Sequence, residues 1–257
     1  MFPIRDDNPT FLTPYATYAI IGLNVLAWVL VQGFGGEQAV TRSVCNLGLI
    51  PGNLLQTASL SPASNSFEAA CLAVNSDSWL TPLTSMFLHG GWFHIIGNMW
   101  FLWIFGNNVE DAMGTPRFAV FYILCGLAAA ALQVVSDPDS TIPMVGASGA
   151  IGGIMGAYVL LYPRVHVHML IFLGFLVTTI AVPAVFMLGY WFVVQLVQGL
   201  ATSNVGGGGV AFWAHIGGFV AGAVLIYVFR KPELLARHPY HGWRRDGRSR
   251  LWHRIDR

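Results

Sequence analysis

Charged residues are scarce in this chain of 257 residues. Asp, Glu, Lys and Arg together make up 10% of the sequence, whereas 55% of the residues are hydrophobic and the mean hydropathy is +0.60. Soluble globular domains carry about 25% charged residues. The shortage of charge therefore excludes an ordinary soluble domain and indicates a chain that resides in a lipid bilayer.

Six apolar stretches are long enough to cross a bilayer, which takes about 20 apolar residues and fewer where neighbouring protein covers the helix. They span residues 16–34, 90–106, 118–135, 147–163, 183–200 and 210–229. None of the 13 Lys and Arg or the 12 Asp and Glu residues falls within them. A transporter or channel would need ionisable residues in its spans, and an intramembrane aspartyl protease would need carboxylates there. Both classes are therefore excluded.

Other absences narrow the function further. The sequence has no His-Glu-x-x-His motif, which excludes a zinc protease of that kind, and no internal repeat of the sort that builds many transporters. No metal or cofactor is expected, because His166 and His168 lack further ligands and are better placed at the membrane interface. Nothing resembles a nucleic-acid-binding module, so no nucleic-acid partner is expected.

The predicted fold is an all-α membrane protein, a bundle of six transmembrane helices with a long first extracytoplasmic loop at 35–89. With a cytoplasmic N-terminus, 12 of the 13 Lys and Arg residues lie on the inner side and only Arg42 lies outside, as the positive-inside rule requires. We expect a short cytoplasmic N-terminus at 1–15, a membrane domain at 16–230 and a basic cytoplasmic tail at 231–257. No signal-peptide pattern precedes the first span, which is expected to be uncleaved.

Several details stay open at this level. The apolar segment 168–182 could be a loop or the start of the fifth helix. Cys45 and Cys71, in the outer loop, could form a disulfide or remain free thiols, whereas Cys125 in the third span is expected to be a small packing residue. Gln195 in the fifth span could face neighbouring helices or a water path. The arginine-rich tail is expected to bind anionic lipid headgroups.

Ser148 and His215 are the strongest candidates for chemistry, because they are among the few polar groups at membrane depth. Ser148 opens the fourth span and His215 lies about five residues into the sixth, so both fall in the outer layer of the bilayer. Serine is a weak nucleophile unless a base takes its proton, and a neutral imidazole suits that role near pH 7. With no carboxylate in the spans to orient the histidine, the pair is expected to act as a dyad.

Attack on a peptide carbonyl builds an oxyanion that needs preorganised donors. His94 and Asn98 are four residues apart on one helical face at the same depth, and the Ser148 amide at a helix start adds a donor. The predicted oxyanion hole therefore consists of Asn98, His94 and Ser148. His89, near the mouth of the second span, could tether either the outer loop or this site.

Glycines line the two spans that carry the candidate pair. Gly149 and Gly153 in the fourth span, and Gly218 and Gly222 in the sixth, are each four residues apart. Such strips let membrane helices approach closely. Packing alone would explain them, and the same approach would bring the serine and histidine within hydrogen-bond distance.

Three motifs, in this order, resemble the rhomboid family of intramembrane serine proteases. They are His94-Ile95-Ile96-Gly97-Asn98, Gly146-Ala147-Ser148-Gly149 and Ala214-His215-Ile216-Gly217-Gly218. The stretch 105–111 also resembles bacterial rhomboids, and the resemblance covers residues 82–227. It implies a six-helix rhomboid-like bundle with Ser148 as nucleophile, His215 as general base and the same oxyanion residues. It also implies substrates with a single membrane span and access gated by the fifth span and the loop 201–209.

The sequence departs from the family pattern at three places. Val210 stands where the family commonly has glycine, and Gly152 stands where some members have an aromatic residue that stacks on the histidine. The Trp-Arg pair that some members carry in the first outer loop is absent. The contact at the outer end of the sixth helix, the support of His215 and the lipid contacts of the loop therefore do not carry over.

The sequence thus predicts an intramembrane serine endopeptidase that hydrolyses peptide bonds in or next to transmembrane segments of membrane proteins. The alternative is a proteolytically inactive rhomboid-like protein that binds membrane clients, although such relatives usually lack the serine or the histidine. Short termini without targeting segments suit a bacterial cytoplasmic membrane, with the active site opening to the extracytoplasmic side. The natural substrate, the cleavage site and the oligomeric state do not follow from the sequence.

Overall fold

The computed structural model describes residues 2–59, 66–74, 79–173, 176–202 and 210–241, and it is mostly helical. In chain order its elements are β1 (Phe2–Asp6), α1 (Tyr15–Leu30), α2 (Glu37–Leu47), α3 (Pro51–Leu55), α4 (Ser66–Val74), α5 (Thr81–Thr84), α6 (Trp92–Met113), α7 (Thr115–Ser136), α8 (Ser148–Leu161), β2 (His166–Leu173), β3 (Leu176–Pro183), α9 (Ala184–Thr202), α10 (Phe212–Phe229) and α11 (Pro232–Leu235). An apolar helix therefore occurs at each of the six stretches that the sequence singles out.

Three of these helices are long and apolar enough to cross a membrane by length and composition: Thr115–Ser136, Ala184–Ala201 and Phe212–Phe229. Two more, α1 and α8, are apolar but shorter. Much of α8 is covered by other helices, and a covered helix needs less apolar length than one that faces lipid.

Helix α6 runs further than the predicted span, which ends at 106. It continues to Met113 and carries Glu110 and Asp111, both of them buried. The predicted span 90–106 itself holds no charged residue, and both carboxylates lie in the extension of the helix beyond it. The two carboxylates are tolerated because they accept hydrogen bonds from backbone amides that would otherwise lack partners.

Those amides belong to the start of α1 and to the turn before it. Glu110 accepts from the amides of Ala16 (3.0 Å) and Thr17 (2.9 Å), and Asp111 accepts from Phe11 (2.6 Å) and Leu12 (2.8 Å). Helix α1 has no side-chain cap of its own. The carboxylate of Glu110, near the end of α6, caps the start of α1 and so joins α6 to α1.

A three-stranded antiparallel sheet in the order β1-β2-β3 departs from the all-α prediction. Residues 168–173 and 176–182 of the open segment belong to the paired strands β2 and β3, and α9 begins only at Ala184. The sequence of this segment is rich in Val, Ile and Thr, whose branched side chains favour strands. The N-terminus, expected to be a simple cytoplasmic end, supplies the third strand, and Trp100 of α6 donates to the carbonyl of Pro3 at 2.6 Å.

Helix α8 lies at the centre of the bundle, where it packs against α6, α7 and α10. A Cβ added at Gly218 would overlap the carbonyl oxygen of Gly149, and one at Gly222 would overlap that of Gly153. The two helices therefore touch backbone to backbone along the glycine strips. On its other side Gly153 contacts Cys125, a buried free cysteine of α7 that fills space as expected.

The segment 35–89 has a defined structure where it is described. Cys45 of α2 and Cys71 of α4 form a disulfide, which decides between the two alternatives that the sequence leaves open. Leu49, just after α2, pairs with Met144 in the segment before α8. The loop is thus attached to the segment that leads into Ser148.

The start of the predicted tail packs against the bundle. The Lys231 amide donates to the Ala112 carbonyl at 2.8 Å, and the buried His238 lies 3.4 Å from Asp111. The arginine-rich part of the tail from Arg244 onward, and positions 203–209 of the expected gating loop, lie outside the described residues.

Candidate active site

Ser148 is the first residue of α8, and the backbone before it is held by a glycine. The Gly146 amide donates to the Ser85 carbonyl at 2.9 Å, and its φ of +127° lies in a region that residues with a side chain rarely adopt. A Cβ at this position would lie 2.7 Å from His94 Nε2. Because Ser148 begins the helix, its amide has no carbonyl partner within it.

His215 lies in the first turn of α10 and faces Ser148 across the glycine contact. Its Nε2 is 2.8 Å from Ser148 Oγ, a normal hydrogen-bond distance. The two residues are 67 positions apart in sequence, so only the packing of α8 against α10 brings them together. This geometry allows an imidazole to take the hydroxyl proton.

The nitrogen atoms of His94 have distinct environments. Its Nδ1 accepts a hydrogen bond from the Gly90 amide at 3.2 Å. A neutral imidazole carries one proton, so accepting at Nδ1 places that proton on Nε2. Nε2 is the atom that approaches Gly146, two residues before the serine. His94 can therefore offer an N–H to a group bound beside Ser148.

Asn98 lies one turn further along α6 and is buried, with 7% of its surface exposed. Its Nδ2 is also buried and has no hydrogen-bond partner among the described residues. A buried amide donor without an acceptor destabilises the fold by about 1–3 kcal/mol. Such a group is a candidate for binding an acceptor that arrives with a ligand.

A cavity of about 270 Å³ opens beside the pair and is lined by His94, Gly146, Ser148 and His215, by residues of α7, α8 and α10, and by residues of the segments before α6, α8 and α10. Asn98 is not among the described residues that line it. An adjoining cleft of about 490 Å³ also reaches His94, and residues of α2, α4, α7 and the start of α10 form its walls.

Residues 76–232 match the family model described as the Rhomboid domain, which covers more than half of the chain. The chain belongs to the rhomboid family. It is 30% identical over 218 residues to the rhomboid protease GluP of Bacillus subtilis, an alignment that covers 85% of this chain and 34% of GluP. This rhomboid thus spans about a third of the length of GluP.

Two further relatives show how widely this similarity extends. Rhomboid-like protein 11 of Arabidopsis thaliana, a chloroplastic protein, is 29% identical over 164 residues, which is 61% of this chain and 55% of that protein. The putative rhomboid protease YdcA of Bacillus subtilis is 32% identical over 87 residues, 34% of this chain and 43% of YdcA. Family membership and the apolar helices together make this rhomboid a multi-pass integral membrane protein.

The two departures at the helix contact have structural explanations in this rhomboid. A Cβ at Gly152 would already lie 3.0 Å from the His215 carbonyl oxygen, so a side chain at this position would require α10 to move away by a few tenths of an ångström. Val210 precedes the first residue of α10 and is 49% exposed. The close approach begins instead near Ala214, whose carbonyl oxygen would lie 3.6 Å from a Cβ on Gly149.

The side chain that contacts His215 from the other side is Gln195 of α9. Its Oε1 lies 2.7 Å from His215 Nδ1, and the Trp191 ring packs near the imidazole with centroids 5.7 Å apart. Sequence reasoning left the environment of Gln195 open between neighbouring helices and water. The only available signal was a polar residue in an apolar stretch, and that signal does not reveal which way the helix faces.

The remaining histidines lie outside this pair. The backbone of His89 exchanges two hydrogen bonds with the Gln32 amide, at 2.7 and 2.8 Å, while its ring packs edge-on against His94. Burial first, and then the charge of His94, lowers the pKa of His89 from 6.5 to about 3. His168 lies on β2 and bonds Asp7 at 2.8 Å. Within the described residues, no group of three or more His, Cys, Asp or Glu could hold a metal ion.

Proposed function

We propose that this rhomboid is an intramembrane serine endopeptidase that hydrolyses peptide bonds in or next to transmembrane segments, with Ser148 as nucleophile and His215 as general base. The observation that carries the proposal is the 2.8 Å contact between Ser148 Oγ and His215 Nε2 beside a cavity. Named proteases among the relatives, GluP in particular, support the same activity.

In the first step His215 Nε2 takes the proton from Ser148 Oγ as the oxygen attacks the substrate carbonyl carbon. The tetrahedral intermediate collapses when the imidazolium gives that proton to the leaving amine, which releases one product and leaves an acyl-serine. A water molecule then loses a proton to His215 and attacks the acyl carbon. Return of that proton to Ser148 Oγ releases the new carboxyl group and restores the enzyme.

The negative oxygen of each intermediate needs donors that already point at it. We assign this role to His94 Nε2, Asn98 Nδ2 and the Ser148 amide. The protonation of His94 at Nε2, the unpartnered and buried Asn98 amide and the position of Ser148 at a helix start each support the assignment. The helix start also places the positive end of a dipole beside the oxyanion.

The proposed arrangement in the membrane has six spans, α1 and α6 to α10, with both termini in the cytoplasm and the loop 35–89 outside. Its proposed substrates are membrane proteins with a single span, which pass α9 to reach the cavity. The disulfide between Cys45 and Cys71 supports an outer location for the loop, since disulfides persist in oxidising compartments. A bacterial cytoplasmic membrane fits this orientation.

A fluorophosphonate probe tests the proposed nucleophile directly, because it reacts with an activated serine without needing a helical substrate. Purified wild type in detergent should be labelled, and Ser148→Ala and His215→Ala should not. The control is Ser66→Ala, which removes an exposed serine of α4 and should leave labelling unchanged. A wild-type protein that binds membrane clients but is never labelled would favour the inactive client-binding relative.

A further inference from the structure

We infer that Gln195 of α9 is the positioning residue of the site, because its Oε1 accepts a hydrogen bond from His215 Nδ1 and keeps Nε2 free to take the Ser148 proton. This inference rests on the proposed function and adds to it. The proposed dyad then becomes a line of three side chains on three helices: serine on α8, histidine on α10 and glutamine on α9.

The distances on the two sides of the ring form the basis of the inference. Nδ1 lies 2.7 Å from Gln195 Oε1, and Nε2 lies 2.8 Å from Ser148 Oγ. A neutral imidazole has one N–H, and an amide oxygen can only accept. If Oε1 faces the ring, the proton must lie on Nδ1, and Nε2 presents its lone pair to the serine hydroxyl.

The burial of Gln195 explains why its side-chain amide forms a hydrogen bond with His215. Gln195 is 8% exposed on a mostly apolar helix, and a buried polar group destabilises a protein unless it is hydrogen-bonded. Trp191 lies four positions earlier on the same face of α9 and packs against the same imidazole. One face of α9 thus contacts the imidazole twice, through Gln195 at Nδ1 and through the Trp191 ring.

Helix α8 offers no aromatic side chain at position 152 that could stack on the His215 ring. Gly152 has no side chain, and a Cβ there would already lie 3.0 Å from the His215 carbonyl oxygen. The titratable side chains near the imidazole are Ser148 on α8 and His94 on α6. The ring orientation therefore depends on α9.

The opposite orientation of the amide would have a different consequence. If the NH₂ group faced the ring, it would donate to Nδ1 and force the ring proton onto Nε2, pointing at the serine oxygen. That tautomer cannot take the serine proton. Replacing Gln195 by Glu distinguishes the two cases, because a carboxylate can only accept and thus reproduces the productive arrangement alone.

The experiment compares Gln195→Met with Gln195→Glu, using a peptide substrate and the fluorophosphonate probe from low to high pH. Methionine keeps the length and removes the acceptor, so kcat and the labelling rate should fall about 10- to 100-fold with KM nearly unchanged. The Glu variant should retain most of the activity. Its pH–rate profile should move to higher pH on the acid side, because a carboxylate stabilises protonated His215.

The matched control is Gln198→Met, which makes the same change at an exposed position of the same helix and should alter neither rate. Full activity and an unchanged pH–rate profile in Gln195→Met would overturn the inference. Equal losses in the Met and Glu variants would overturn it too, because they would mean a merely structural role. If Gln195→Met fails to fold, the pH–rate profile of Gln195→Glu tests the inference by itself, and an unshifted acid side would overturn it. Absence of labelling in wild type would instead refute the proposed function.

Discussion

The carbonyl oxygen of Gly149 occupies the place that a side chain on Gly218 would need. This backbone contact between α8 and α10 sets the spacing of the two helices near the ends that carry Ser148 and His215. The 2.8 Å approach of Ser148 to His215 depends on it, because both residues lie within one turn of the contact. The glycines thus contribute to the site because the absence of their side chains lets α8 and α10 approach closely.

Replacing Gly218 by Val should therefore weaken both the fold and the site. Overpacking of a close contact destabilises a protein by about 1–3 kcal/mol, and separation of α8 from α10 should reduce fluorophosphonate labelling. Thermal unfolding in detergent and the labelling rate measure the two effects. Gly22→Ala is the control, because nothing lies within 4 Å of a Cβ at that position. Wild-type labelling in Gly218→Val would contradict the dependence of the site on this contact.

Asn98→Ala tests the proposed oxyanion donor. Loss of one such donor lowers kcat by about 10²- to 10³-fold, and KM should change little because the donor acts mainly in the transition state. Removing a buried donor that has no partner among the described residues should not lower the melting temperature. Steady-state cleavage of a transmembrane peptide provides both constants. A rise in KM at constant kcat would assign Asn98 to ground-state binding instead.

Replacing Cys45 and Cys71 together by Ser removes the disulfide that closes a loop with a sequence separation of 26. The chain-entropy relation expects a loss of about 3–4 kcal/mol of stability for the loop. Chemical unfolding measures this loss. The wild-type protein tests the orientation of the loop. In intact cells, a membrane-impermeant maleimide should label the thiols of wild-type Cys45 and Cys71 after mild reduction. Lack of labelling from outside, with labelling after lysis, would contradict the proposed orientation.

The pH dependence of the N-terminal strand should follow Asp6. Burial raises its pKa from 3.8 to about 6, and the hydrogen bond from Tyr158 partly opposes that rise. A carboxyl whose folded pKa is raised contributes stability below pH 3.8 and loses it as pH rises through 6. The packing of β1 should therefore weaken across that window by at most about 3 kcal/mol.

Hydrogen exchange of the β1 amides between pH 4 and 7, corrected for the intrinsic exchange rates, follows this change. Asp6→Asn should flatten the dependence and raise protection near pH 7 relative to wild type. Asp139→Asn, which alters an exposed carboxyl far from β1, should behave like wild type. Greater protection of wild-type β1 at pH 7 than at pH 4 would contradict the burial argument.

A crosslink between α9 and α10 tests whether α9 gates substrate access. A Cβ at Gly199 would lie 3.4 Å from the Phe212 Cβ, close to the separation of about 3.5–4.5 Å that a disulfide requires. Oxidised Gly199→Cys/Phe212→Cys should lose cleavage of helical substrates and keep fluorophosphonate labelling. Reduction should restore cleavage, with reduced wild type as the control for the native disulfide. Full cleavage by the crosslinked enzyme would rule out this gate.

The positions of the apolar helices could be read from the sequence because each follows from a local property, a run of apolar residues. The polar end of α6 could not. Glu110 and Asp111 look like the beginning of a loop until the amides of α1 and of the turn before it, 93 to 100 positions away, are placed against them. The hairpin β2–β3 was hidden for a similar reason, since an apolar segment fits a strand or a helix until a partner strand is known.

The sequence by itself determined which residues were available for chemistry: a serine and a histidine in spans that otherwise hold almost no reactive groups, with glycines that permit close packing. Only the tertiary structure decided what surrounds the histidine. Gly152 lies tightly against the backbone of α10, and Gln195 of α9 lies at His215 Nδ1, the nitrogen that faces away from Ser148. Composition and spacing report what a helix contains. Which face it turns towards a neighbour depends on packing along the whole helix, and that is a property of the folded bundle.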